Sequence, residues 1–136
     1  MEKLEHIGIA VKDLGQANKT FALLLGQEHY KTEEVASEGV TTSFFKVGDV
    51  KIELLESADE NSTIARFINK RGEGLHHLAF AVDDIEKSIQ KYEALGFEVV
   101  NRQPRRGADN KMVVFLHPRS ANGVLVELCQ EIAETP

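Results

Sequence analysis

The chain has 136 residues, the usual size of one domain, and its 42% hydrophobic residues suffice to bury a core. Its net charge of −6, from 22 acidic and 16 basic residues, argues against nucleic acid or an anionic membrane as a partner. No apolar run is long enough to span a membrane, and a single cysteine excludes an internal disulfide and fits a reducing cytoplasm.

The first half predicts one strand, one helix and three further strands. Residues 4–11 alternate as a strand does, and because this pattern starts almost at once we expect no signal peptide. Asp13 is suited to N-cap a helix that stops at Gly26. The remaining strands are predicted at residues 29–35, 40–47 and 50–56.

The second half repeats this order after a short connecting helix at about residues 62–71, capped by Ser62 or Thr63. A strand over residues 75–82 leads to a helix that Asp83 or Asp84 caps. Three strands are then predicted at 97–101, 111–117 and 124–130, with 102–110 as a polar loop of clustered positive charge.

The predicted fold class is therefore α+β, with two tandem βαβββ modules at about residues 1–58 and 74–131. We expect residues 1–136 to form a single domain in which the modules pair into a cupped mixed sheet.

Each module carries a histidine near its start and a glutamate near its end. The openings are His6-Ile-Gly-Ile-Ala-Val11 and His77-Leu-Ala-Phe-Ala-Val82. The closing strands contain Glu53 and Glu127, 47 and 50 residues after the respective histidine. Small residues otherwise occupy the histidine-bearing face of each opening strand, which would leave room for a ligand.

Imidazole nitrogen and carboxylate oxygen together suit Zn²⁺, Co²⁺, Mn²⁺, Fe²⁺ or Ni²⁺. A carboxylate among apolar strand neighbours is costly to bury unless it is paired or bound to a cation. The matched positions therefore predict one metal site between the modules, formed by His6, Glu53, His77 and Glu127. His76 precedes His77 and must point to the opposite face of a regular strand, so we interpret it as a structural or supporting residue.

The duplicated unit resembles the vicinal oxygen chelate superfamily, the glyoxalase and bleomycin-resistance group. Within it, the chain resembles the methylmalonyl-CoA epimerase family over essentially its whole length. The most specific stretches are Gly74-Leu-His-His-Leu78, Phe115-Leu-His-Pro118 and Gly123-Val-Leu-Val-Glu-Leu128. The resemblance implies a cupped sheet around a divalent metal, which would be Co, Zn, Mn or Ni.

The resemblance also implies site residues. The family's metal positions fall on His6, Glu53, His77 and Glu127, although some epimerases have Gln at the Glu53 position. Some relatives place a further catalytic Glu where this chain has Thr42, which cannot act as a base. Glu127 is therefore our candidate for one base and Glu53 for the other.

The implied reaction is the interconversion of (2R)- and (2S)-methylmalonyl-CoA through an enolate. A divalent metal would stabilise charge on the thioester oxygen, while bases on both sides of C2 exchange its proton. We expect an acyl-CoA thioester substrate, no nucleic-acid or membrane partner, a homodimer and a cytoplasmic location. Local cations would have to offset repulsion between the CoA phosphates and an acidic chain.

Two alternative functions are compatible with the same residues. A glyoxalase I-type lactoylglutathione lyase uses the same metal and related enediolate chemistry, so the four ligands do not separate it from an epimerase. A non-catalytic small-molecule-binding protein of the same fold is the other alternative. Such proteins usually lack the complete ligand set, which is present here.

Overall fold

The computed structural model describes residues 3–133. Over these residues strands and helices follow the predicted order β–α–β–β–β twice, with one helix between the repeats, which confirms the α+β class. No helix within this span is long and apolar enough to cross a membrane. The elements are β1 (Lys3–Val11), α1 (Leu14–Leu25), β2 (Lys31–Val35), β3 (Val40–Val47), β4 (Val50–Ser57), α2 (Thr63–Arg71), β5 (Gly74–Ala81), α3 (Ile85–Ala94), β6 (Arg105–Arg106), β7 (Lys111–Leu116) and β8 (Val126–Glu131).

The chain divides into two compact units. The first is His6–His76, and the second contains residues 77–133 together with residues 3–5. In the first unit the strand order is β2-β3-β4-β1, and in the second it is β5-β8-β7-β6. The opening and closing strands of each module pair in parallel, as β1 with β4 and β5 with β8, and the other neighbours are antiparallel. The two halves therefore share one topology.

Helix α1 covers one face of the first unit. Asp13 caps it as predicted, because its side chain accepts a hydrogen bond from the Gln16 amide at 3.0 Å. The helix ends at Gly26, whose φ of 69° lies in the left-handed region that glycine adopts without strain. Leu14 and its apolar neighbours on α1 pack against Phe45 and Leu54 of the sheet. The opposite face of this sheet carries His6.

Helix α3 plays the same part in the second unit. Of the two predicted caps, Asp84 accepts a hydrogen bond from the Lys87 amide at 3.1 Å. Ile85 and Ile89 of this helix pack on a cluster that includes Val114, Leu116 and Leu128. In each unit a second hydrogen bond fixes the start of the helix. The first amide of α1 donates to Glu56 at 2.6 Å, and the first amide of α3 donates to Gln130 at 2.8 Å.

The N-cap of the connecting helix α2 is one of the two predicted residues. Ser62 is the N-cap, because its hydroxyl accepts a hydrogen bond from the Ala65 amide at 3.0 Å. The same hydroxyl lies 2.8 Å from that of Ser57, at the end of β4. The start of α2 is thus tied to the closing strand of the first module.

One predicted strand is wrong. Residues 97–101 do not form a continuous strand, since only Val99 forms a bridge, with Leu116. Phe97 and Val99 pack on the α3 core, so their apolar character reflects burial more than strand pairing. Pro104 then interrupts strand pairing, because it has no amide hydrogen to donate to a neighbouring strand. The edge strand β6 follows at Arg105–Arg106, inside the segment predicted to be a loop.

Candidate metal and active site

In the first unit, His6 and Glu53 meet on the face away from α1. Strands β1 and β4 are parallel, with Gly8 opposite Glu53. Because alternate residues of a strand share a face, His6, Gly8 and Glu53 all lie on one side of the sheet. His6 Nδ1 is 3.1 Å from Glu53 Oε2, and both side chains are buried.

The second unit repeats this geometry. Ala79 lies opposite Glu127 on β8, so that His77, two residues earlier, shares a face with the glutamate. His77 Nε2 is 3.5 Å from Glu127 Oε1, and both side chains are again buried. Each unit therefore brings its predicted histidine and glutamate together as a buried pair.

A phenylalanine flanks each glutamate, and the sequence alone does not indicate either pairing. Phe44 on β3 is the register partner of Glu53, and Phe115 on β7 is the partner of Glu127. The Phe115 ring also meets the His77 ring edge to face, with centroids 6.0 Å apart. Each glutamate thus lies between a strand that carries the histidine and a strand that carries a phenylalanine at the paired position. We define the sheet surfaces that carry these residues as the His-bearing faces of the two units.

These pairs have the donor chemistry of a divalent-cation site. A buried carboxylate loses its hydration, and that loss must be offset by a partner or a bound cation. In each unit an imidazole nitrogen and a carboxylate oxygen point at one another in a buried setting, and these are donor types that zinc, cobalt, manganese and nickel accept. The residues present therefore fit the metal that the fold implies.

Thr42 lies on the His-bearing face of the first unit, two residues before Phe44 on β3. Its side chain is fully buried, and within residues 3–133 its hydroxyl has no hydrogen-bond partner. Buried hydroxyls are normally paired, so this group keeps an unused hydrogen-bonding capacity on that face. The hydroxyl can donate a hydrogen bond there, although it cannot serve as a base.

His76 is separate from these pairs, as its position on β5 predicts. Its ring packs edge to face on Phe67 of α2, with centroids 4.9 Å apart. Burial lowers the pKa of His76 from 6.5 to about 4, so the ring is neutral at physiological pH. This histidine joins the connecting helix to β5 and has a structural role.

Residues 5–115 match the model of the Glyoxalase/Bleomycin resistance protein/Dioxygenase superfamily. The chain belongs to this superfamily and has its fold, which confirms the resemblance noted in the sequence. Its relatives include several methylmalonyl-CoA epimerases, which are isomerases.

Three relatives illustrate the similarity. The ethylmalonyl-CoA/methylmalonyl-CoA epimerase of Cereibacter sphaeroides is 38% identical, and the alignment covers 94% of this chain and 97% of the relative. The uncharacterized protein YqjC of Bacillus subtilis is also 38% identical, over 96% and 93% of the two chains. A Streptomyces coelicolor methylmalonyl-CoA epimerase, solved in complex with 2-nitronate-propionyl-CoA, is 33% identical with a TM-score of 0.93, covering 100% and 99%.

Proposed function

We propose that this protein is a metal-dependent epimerase that interconverts (2R)- and (2S)-methylmalonyl-CoA through an enolate. Two buried His–Glu pairs at equivalent positions of a duplicated fold carry this proposal. The nearly full-length similarity to methylmalonyl-CoA epimerases supports the choice of substrate.

His6, Glu53, His77 and Glu127 are the proposed metal ligands, and the two modules act as one domain. The duplicated register supports this assignment, because Gly8 opposite Glu53 and Ala79 opposite Glu127 place both pairs at the same point of their sheets. A divalent cation held there would act as a Lewis acid toward negative charge that develops on the thioester oxygen.

The two glutamates are the proposed bases. The C2 proton of the substrate lies between a thioester and a carboxylate, so its removal gives a delocalised enolate. In one direction the Glu127 carboxylate takes the proton from one face of C2, and Glu53, in its protonated carboxylic acid form, gives its proton to the other face. The two protonation states are then exchanged, which is the starting state for the reverse reaction. Such general acid–base assistance is worth roughly 10²–10⁴ in rate. Phe44 and Phe115 are the register partners of the two glutamates, and the apolar surface that they contribute would favour proton transfer to the substrate over transfer to solvent.

Thr42 is proposed to bind substrate instead of transferring a proton. Its unpartnered hydroxyl lies on the same face as Glu53, two residues along β3 from Phe44, the register partner of Glu53. There it can donate a hydrogen bond to a carboxylate or thioester oxygen, and so help to orient C2 between the two bases.

The expected substrate preference separates an epimerase from a lyase. Purified protein loaded with cobalt or zinc should epimerise methylmalonyl-CoA, with little turnover of the methylglyoxal–glutathione hemithioacetal. Both reactions are followed in the same preparation, by a coupled mutase assay and by ultraviolet absorbance of lactoylglutathione. The reverse preference would make the protein a lactoylglutathione lyase, and no turnover of either compound would favour a binding protein.

Compartment and assembly are further parts of the proposal. A chain with one cysteine, buried in β8, has no need of an oxidising environment, which supports a cytoplasmic protein. We expect a homodimer, and the exposed leucines Leu23, Leu24 and Leu75 provide apolar surface that a second copy could cover.

A further inference from the structure

Building on the proposed function, we propose that Arg105 binds an oxyanion of the acyl-CoA substrate. Methylmalonyl-CoA offers two sources of this chemistry, the carboxylate on C2 and the phosphates of CoA. Arginine suits both, because its planar guanidinium donates paired hydrogen bonds to carboxylate and phosphate oxygens.

The sheet register places Arg105 on the His-bearing face of the second unit. Arg105 on β6 is opposite Val113 on β7, which is in turn opposite Cys129 on β8. Cys129 is two residues beyond Glu127, so all four residues share one face. Because neighbouring strands are about 4.8 Å apart, Arg105 starts about 10 Å across the sheet from β8. A long side chain can cover much of that distance above the sheet.

Arg105 is also unpaired, unlike the other cations nearby. Within residues 3–133 its guanidinium makes no hydrogen bond or ion pair. By contrast, Arg106 donates to Asn110 at 2.6 Å, and Arg119 forms two hydrogen bonds with Glu98 at 2.8 and 2.7 Å. Lys111 is buried, with its ammonium 3.7 Å from an Asp109 carboxylate oxygen. Arg105 is therefore the cation of this region that is available to a ligand.

The backbone on either side of Arg105 is fixed. Pro104 before it is buried, and the Gly107 amide donates to the Lys111 carbonyl at 2.9 Å to close the β6–β7 hairpin. The hairpin is tied to the chain beyond β8 through the Ile132 amide, which donates to the Asn110 carbonyl at 3.1 Å. An anchored backbone limits the entropy lost when the side chain binds an anion.

The repeat does not require a cation at this position. The equivalent residue of the first unit is Glu33 on β2, which lies opposite Thr42 as Arg105 lies opposite Val113. Glu33 is within 3.8 Å of the Lys31 ammonium. The two units thus carry opposite charges at matching edge positions. Glu33 in the first unit is paired, whereas Arg105 in the second unit is not. This asymmetry favours a role in binding a ligand over a role in the fold.

A pair of neighbouring variants tests the assignment. Arg106→Ala is the matched control, because this substitution removes the same charge from the opposite face of the same strand. Arg105→Ala should raise KM for methylmalonyl-CoA about 10- to 100-fold, because that is the usual loss of affinity when a hydrogen bond to a charged group is removed. Its kcat should stay within a few-fold of the wild-type value. Arg106→Ala should leave KM near the wild-type value, and Arg105→Lys should recover part of the loss.

Inhibition by propionyl-CoA, which keeps the CoA phosphates but lacks the C2 carboxylate, distinguishes the two sources. If Arg105 binds a phosphate, Arg105→Ala should weaken propionyl-CoA binding as much as it raises KM. If Arg105 binds the C2 carboxylate, the propionyl-CoA inhibition constant should stay unchanged while KM rises. An unchanged KM in Arg105→Ala, or an equal rise in Arg106→Ala, would overturn the assignment. Absence of epimerase activity in the wild-type protein would instead overturn the proposed function itself.

Discussion

Replacing His77 with alanine should abolish binding of the proposed divalent ion and nearly all epimerase activity. His77 supplies one of two imidazoles in the proposed site, and without it the Glu127 carboxylate loses its buried partner at 3.5 Å. Loss of a Lewis acid worth several kcal/mol lowers the rate on the order of 10³-fold or more. His6→Ala should behave in the same way, because it is the equivalent residue of the first module. Metal content by plasma mass spectrometry and initial rates would be measured on the same samples.

His76→Ala is the matched control for this prediction. It removes a neighbouring imidazole that packs on Phe67 and lies on the opposite face of β5. This variant should lose stability because an aromatic contact is removed, but it should retain its metal and most of its activity. Full metal occupancy in His77→Ala would show that the ligand set is wrongly assigned.

Replacing Glu127 with glutamine should separate proton exchange from epimerisation. The amide oxygen of glutamine can still act as a metal ligand, but the amide cannot accept the C2 proton. Glu53 would then act alone on one face of the substrate. One epimer should exchange its C2 proton with solvent while conversion to the other falls by roughly 10²–10⁴.

The corresponding Glu53→Gln variant tests whether Glu53 is the second base. It should exchange the opposite epimer if Glu53 is the second base. Retained epimerisation would instead assign the second base to another residue, which is consistent with the Gln found at this position in some epimerases. Near-normal epimerisation in both directions by metal-loaded Glu127→Gln would contradict the proposed mechanism, because Glu127 would then be a ligand alone.

The repeat and its caps could be predicted because their signals are local. Asp13 and Gly26 mark the ends of α1, and the alternating patterns after His6 and His77 predict β1 and β5. The buried glutamates were also predictable, since each is a charged residue in an apolar strand. These features depend on residues close together in the chain, which is why the sequence indicates them directly.

Other features depend on register, which the sequence does not specify. The pairing of Phe44 with Glu53 and of Phe115 with Glu127 appears only when the antiparallel strands are aligned. The short strand β6 was missed for a related reason. The segment around Val99 has the stronger apolar pattern, yet Pro104 separates it from the two arginines that pair with β7. The position of Arg105 on the His-bearing face follows from that alignment as well.

Deuterium incorporation at C2 tests the central claim most directly. Each pure epimer of methylmalonyl-CoA would be incubated in ²H₂O with metal-loaded protein, with chelator-treated protein and without protein. Mass spectrometry would follow the label, and a stereospecific mutase would report the epimer ratio. Because inversion requires removal of the C2 proton, metal-loaded protein should label C2 and bring both epimers to near-equal amounts, far faster than either control. No labelling above the protein-free rate, with metal bound, would contradict the assignment of this protein as an epimerase.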